Sequence, residues 1–153
     1  MVNNKKIDFK IDKGHLFIGD DEIYLNWVNS IGIRDSIWKD SEFAIHVETI
    51  DELLELYYTG TLEEVSDAFV ELSNAIIEKY PVFRGIFKTE LVNFRNIQEI
   101  SHPSLLNTSQ VKITFKRGEE LICDSTKEEY KEIKAAVKEF KESRKGKVEV
   151  VNR

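Results

Sequence analysis

LNWVNSIGI, residues 25–33, and VNFRNIQEI, residues 92–100, follow one template: apolar, Asn, aromatic, any residue, Asn, with Ile at the end. Each copy is followed by the same succession of signals. After the first come a polar loop, Asp35–Ser41, then the strand FAIHVET (43–49), with Phe43, Ile45 and Val47 on one face, then ELLELYY (52–58). Thr61 and Glu64 form a capping box, in which hydroxyl and carboxylate each take an orphan backbone N–H. Leu62, Val65, Phe69, Leu72 and Ile76 then recur at helical spacing over 62–78, and Pro81 ends the helix. After the second copy the order is a loop, His102–Ser109, the strand VKITF (111–115), a hairpin signal at Lys116–Glu119 and the strand ELIC (120–123). A second capping box at Thr126 and Glu129 opens a helix in which Tyr130, Ile133, Val137 and Phe140 are spaced to about residue 142.

Upstream of the two copies, KIDFKI (6–11) and HLFI (15–18) read as strands around the turn Asp12-Lys13-Gly14, and FRGIF (83–87) as their later counterpart. The motif itself reads as strand over 23–34, with an interruption near Asn29. The letter match pairs Trp27 with Phe94 and Ile33 with Ile100 at an offset of 67, and Ile45 with Ile113 at 68. The helices align at 65, Thr61 with Thr126 and Leu72 with Val137. Agreement across strands, loops, caps and helix faces points to an internal duplication. A sheet-plus-helix unit of this size has too small a core to be stable alone, so two copies burying their apolar faces together form a covalent pseudo-dimer. The expectation is an α+β fold of two repeated antiparallel β-sheet-plus-helix units, residues 1–80 and 81–153.

The first copy also carries a resemblance. Tyr24-Leu25-Asn26, the spaced Ile31 and Ile33, the strand Phe43–Val47 and Thr61-Leu62-Glu63-Glu64-Val65 resemble the small flagellar-operon proteins of the FlbD/SwrD type. The second copy is similar through Asn93, Ile97, Ile100, Gly118 and Thr126–Tyr130, so the likeness spans 23–78 and 90–140. Thr49-Ile50-Asp51-Glu52 stands where that family has a hairpin glycine, and its members are single-copy. The shared positions are turns, caps and core. The resemblance implies a fold and carries no activity across.

Composition narrows the function. The 153 residues contain no apolar run long enough for a membrane helix, and the start, MVNNKKIDFKIDKG, has no signal-peptide core. The single cysteine, Cys123, forms no internal disulfide, which suits a reducing, cytoplasmic setting. No Cys or His lies at metal-ligand spacing from His15, His46 or His102, and His46 falls out of phase with its strand's apolar face. Asp20-Asp21-Glu22 reads as a hairpin tip rather than a cation cluster, and Cys123 as a buried thiol without an activating base. No phosphate loop or nucleophile elbow appears. The expectation is a non-enzyme with no cofactor and no metal.

The net charge of −6 is unevenly spread. Residues 40–78 hold eleven acids and no Lys or Arg, whereas 79–117 hold seven bases and two acids. On the first helix Glu63, Asp67 and Glu71 follow at i, i+4, with Glu64 and Glu78 beside them, a spacing that costs about 0.2–0.5 kcal/mol per pair. The helix dipole offsets this in the first turns only. The second helix mixes Lys131, Lys134, Lys138 and Lys141 with Glu128, Glu132, Glu139 and Glu142, an ordinary solvated face. The expected partner surface is therefore Glu55, Glu63, Glu64, Asp67 and Glu71, with the loop residue Trp38 as an anchor. It would dock on a basic surface of a larger protein, as suits a phage or mobile-element inhibitor of a nucleic-acid-binding host protein. The alternative is a binder of small anionic ligands in the groove between the repeats. Direct nucleic-acid binding is disfavoured, because Arg84, Lys88, Arg95, Lys112, Lys116 and Arg117 lack interleaved aromatic stacking residues.

Overall fold

The computed structural model describes residues 7–37, 42–50 and 53–151, leaving aside the side chains of 53–57 and 145–151. The chain is α+β, with antiparallel sheets and two helices. Two compact units follow one another, Met1–Asn93 and Phe94–Arg153. The division between these units falls at Asn93/Phe94, because a hairpin just after the first helix joins the first unit's sheet.

The first unit opens with β1 (Phe9–Asp12), β2 (His15–Ile18) and β3 (Asp21–Tyr24), a three-stranded sheet in that order. The β1–β2 turn places Lys13 and Gly14 at φ 50° and 81°, a left-handed pair in which Gly14 takes its place without strain. A 3-10 turn at Leu25–Trp27 leads into β4 (Val28–Asp35), β5 (Phe43–Thr49) and β6 (Leu53–Gly60). Helix α1 (Leu62–Lys79) follows, then the hairpin β7 (Phe83–Ile86) and β8 (Glu90–Asn93). Their five-stranded sheet has the order β6-β5-β4-β8-β7. The strand break in the first motif is thus this 3-10 turn, upstream of Asn29.

Both hydrogen bonds of the Thr61–Glu64 capping box are made, at 3.0 and 3.2 Å. Behind it Val65, Phe69, Leu72 and Ile76 are buried against Leu25, Val28, Ile31, Ile45 and Val47. Each fully buried side chain of this kind contributes about 1.5–3 kcal/mol. His46, out of phase with its strand's apolar face, is nonetheless buried on β5, an interior strand with β4 and β6 on either side.

The second unit begins with a 3-10 turn at Phe94–Asn96, followed by β9 (Ile97–Ser101), β10 (Gln110–Phe115), β11 (Glu120–Asp124) and α2 (Lys127–Val151). Its sheet has the order β11-β10-β9, and the Thr126–Glu129 capping box is closed at 2.9 and 3.1 Å. Ile97, Ile113, Phe115, Ile133, Val137 and Phe140 are buried, and Phe94 meets Phe140 edge to face at 5.8 Å. Helix α2 runs past residue 142 to Val151, since no proline stops it as Pro81 stops α1.

The order hairpin, 3-10 turn, three-strand meander, helix occurs twice along the chain. Its register differs from the letter match. Ile50 N donates to Trp27 O at 2.9 Å, and Lys116 N donates to Asn96 O at 2.8 Å. Trp27 therefore corresponds to Asn96, and Leu25 to Phe94. Likewise Ile31 faces Val47 and Ile100 faces Ile113, so Val47, not Ile45, is the counterpart of Ile113. The Trp27–Phe94 equivalence fails: Trp27 is 53% exposed and Phe94 is 2% exposed. Strand faces repeat every two residues, so a two-residue slip leaves the apolar alternation intact and escapes notice in letters. The helices keep the offset of 65, with Leu72 and Val137 both buried.

Candidate binding surfaces

Helix α1 turns Val65, Ala68, Phe69, Leu72 and Ile76 inward, which leaves Glu63, Asp67 and Glu71 exposed on the outer side. None of these three has an ion-pair partner among the described residues. Glu64 is partly committed, because its carboxylate accepts the Thr61 N–H. Two apolar side chains stand among the acids, Leu62 at 50% and Val70 at 53% exposure. The field of the cluster reaches Tyr58 on β6. Burial first, then the charges of Glu64, Asp67 and Glu71, hold its hydroxyl above the usual tyrosine range.

The structure thus brings Glu63, Glu64, Asp67 and Glu71 together on one helix. Glu55 lies on β6 opposite His46, with its side chain outside the described set. Trp38 lies outside the described residues.

A second surface escaped the sequence reading. On the hairpin β2–β3 and the turn after it, His15, Phe17, Tyr24 and Trp27 form a connected aromatic row. His15 stacks on Phe17, Tyr24 meets His15 edge-on at 5.2 Å, and Trp27 meets Tyr24 edge-on at 5.7 Å. The His15 Nδ1 lies 3.0 Å from Glu22 Oε1. The signal was the alternation itself. Leu16 and Ile18 are buried, so His15 and Phe17 must point the other way.

The third surface lies in the second unit. Phe94, Ile97 and Phe140, all buried, lie beneath an open groove of about 350 Å³. Its rim is cationic: Arg95, Lys116, Lys141 and Arg144. Lys141 Nζ donates to Gln98 O at 2.6 Å, and the Arg144 guanidinium lies 5.6 Å over the Phe140 ring. Among the described residues no acidic side chain lines it. Across β9–β10 the loop tip carries Leu105 and Leu106, both almost fully exposed, on a turn closed by Asn107 N to Ser104 O.

Among the described residues no group of His, Cys, Asp and Glu could hold a metal ion, and no helix is long and apolar enough to cross a membrane. Cys123, on β11, is half-buried.

No family model matches the chain, and no curated protein matches it. Among solved structures, the chain is similar to the LytTr DNA-binding domain of a Bacillus cereus protein described as a methyl-accepting/DNA response regulator. That likeness covers 78% of this chain and 87% of the other, with a TM-score of 0.43 and 13% identity. At that level it carries no inference about function.

Proposed function

We propose that the chain is a noncatalytic protein-binding module that docks the outer face of α1 on a basic surface of a larger protein. The observation that supports this most is the make-up of that face. Three exposed acids without ion-pair partners among the described residues, Glu63, Asp67 and Glu71, share it with the exposed Leu62 and Val70. Unmatched charge on a fold's own surface gains little in water, but against a complementary surface it steers encounter and fixes orientation. The exposed apolar pair supplies area that such a contact would bury.

A cytoplasmic setting, and action as a phage or mobile-element inhibitor of a nucleic-acid-binding host protein, belong to the same proposal. So does the duplication of one ancestral unit into a covalent pseudo-dimer, which the twice-repeated element order and the matched Ile50 and Lys116 hydrogen bonds favour. The docking test is capture from host lysate with immobilised full-length chain at rising salt. A specific partner is retained by the wild type and lost from the Glu63→Gln, Asp67→Gln, Glu71→Gln triple variant. Equal retention by that variant sinks electrostatic docking.

A further inference from the structure

The aromatic row on the β2–β3 hairpin and the turn after it is apolar surface that the fold leaves open. Phe17, Tyr24 and Trp27 are each more than a third exposed, whereas Leu16, Ile18 and Ile23 turn from the same strands into the core. The second hairpin, β7–β8, shows that the fold does not demand these rings. The matched turn bonds set Tyr24 against Asn93 and Trp27 against Asn96, and the strand pairings set Phe17 against Gly85. One hairpin and its turn carry three aromatic side chains where the other pair carries two asparagines and a glycine.

We propose that this row binds a proline-rich segment of a partner protein in the polyproline II conformation, with a basic residue beside the prolines. Shape is the first argument. Adjacent rings lie 5.2–6.1 Å apart, and Tyr24 stands edge-on to both His15 and Trp27, so notches separate neighbouring rings. A polyproline II helix rises about 3.1 Å per residue and repeats every three, which sets a proline into roughly every second notch. Hydrogen bonding is the second. Asn26 Nδ2 donates to the Tyr24 hydroxyl at 3.1 Å, which leaves that O–H to donate outward, and the Trp27 indole N–H is a donor on a half-exposed ring. Prolines offer carbonyl acceptors and no N–H, so the ligand strands no donor against the rings. The carboxylates choose the charge. Asp12, opposite His15, and Glu22, opposite Phe17, are both exposed and outweigh Lys10 on that face. That balance favours an arginine or lysine on the ligand and repels phosphate, which turns nucleic acid away. The row lies on other elements than the outer face of α1, so either reading survives failure of the other.

The probes are three fluorescein-labelled peptides, RPPPPPPPPR, its acidic twin EPPPPPPPPE and the proline-free RGSGSGSGSR, read by anisotropy against the full-length chain. Saturable binding of the first is expected, with both others weaker by about tenfold or more. Trp27→Asn and Tyr24→Asn, which install the residues of the second copy, each weaken it about tenfold or more while the circular dichroism spectrum stays that of the wild type. Glu22→Gln narrows the gap between the basic and the acidic peptide. The proposal is overturned by absence of saturation up to about 1 mM RPPPPPPPPR. Equal binding of either control peptide overturns it as well, and so does wild-type affinity in both asparagine variants. Cellohexaose that binds more tightly than the peptides and senses Trp27→Asn would replace it with a carbohydrate site.

Discussion

The Arg34 guanidinium grips the Glu90 carboxylate with two hydrogen bonds, 2.5 and 2.8 Å, joining β4 to β8 across 56 residues of sequence. Glu90 is 4% exposed, and Gly32 lies beside the pair where a Cβ would collide with both partners. Breaking a buried pair by removing one partner costs far more than the pair is worth as a whole. Arg34→Ala is expected to cost about 3–5 kcal/mol at neutral pH, whereas Arg34→Met with Glu90→Leu costs much less. Urea unfolding of the three chains checks this. A double variant as unstable as Arg34→Ala would mean that β8 docks for other reasons.

Burial lifts the Glu90 carboxyl above the usual glutamate range, against the hydrogen bond and charge of Arg34, while Glu48 adds to the lift. The native chain therefore holds this proton more tightly than the unfolded chain does. The resulting contribution to stability is present below the ordinary glutamate pKa and is lost as pH rises through the raised native value. Wild type should lose stability relative to Glu90→Gln as pH climbs from about 4 toward 7. A flat difference between their unfolding midpoints over that range would show that Arg34 fully cancels the burial.

The register of the two halves predicts unequal costs for two aromatic residues that the letters align. Phe94→Ala should cost about 3–5 kcal/mol, since the ring is buried against Phe140. Trp27→Ala should cost well under half of that, because its ring is half exposed and touches only Tyr24 among the described aromatics. Thermal denaturation of both variants decides it. Equal losses would restore the offset of 67.

If the halves form a pseudo-dimer with a shared core, damage to one is felt in the other. Leu72→Ala should cost about 2–5 kcal/mol and Val137→Ala somewhat less, for fewer lost methyl groups. Either should loosen the chain in a single transition. Amide exchange on Leu72→Ala is the measurement. Full protection surviving in β9 to α2 would establish two independently stable units.

The sequence by itself determined what is local. Both capping boxes, the inward faces of α1 and α2, the turns at Gly14 and Gly118 and the acidic outer face of α1 are set by residues within four positions of one another. Tertiary structure decided what is not local. Strands of period two do not choose their neighbours, so nothing in EIYLNWV or ELVNFRN says that β8 pairs with β4 while β3 pairs with β2. The same pairing buries His46 and Glu90, and it places β7 and β8 in the first compact unit, which ends at Asn93. Arg34 meets Glu90, and Phe94, Ile97 and Phe140 gather under four cations, only after the chain has closed loops of tens of residues. No spacing rule links such residues, because contact between them depends on packing rather than on position along the chain.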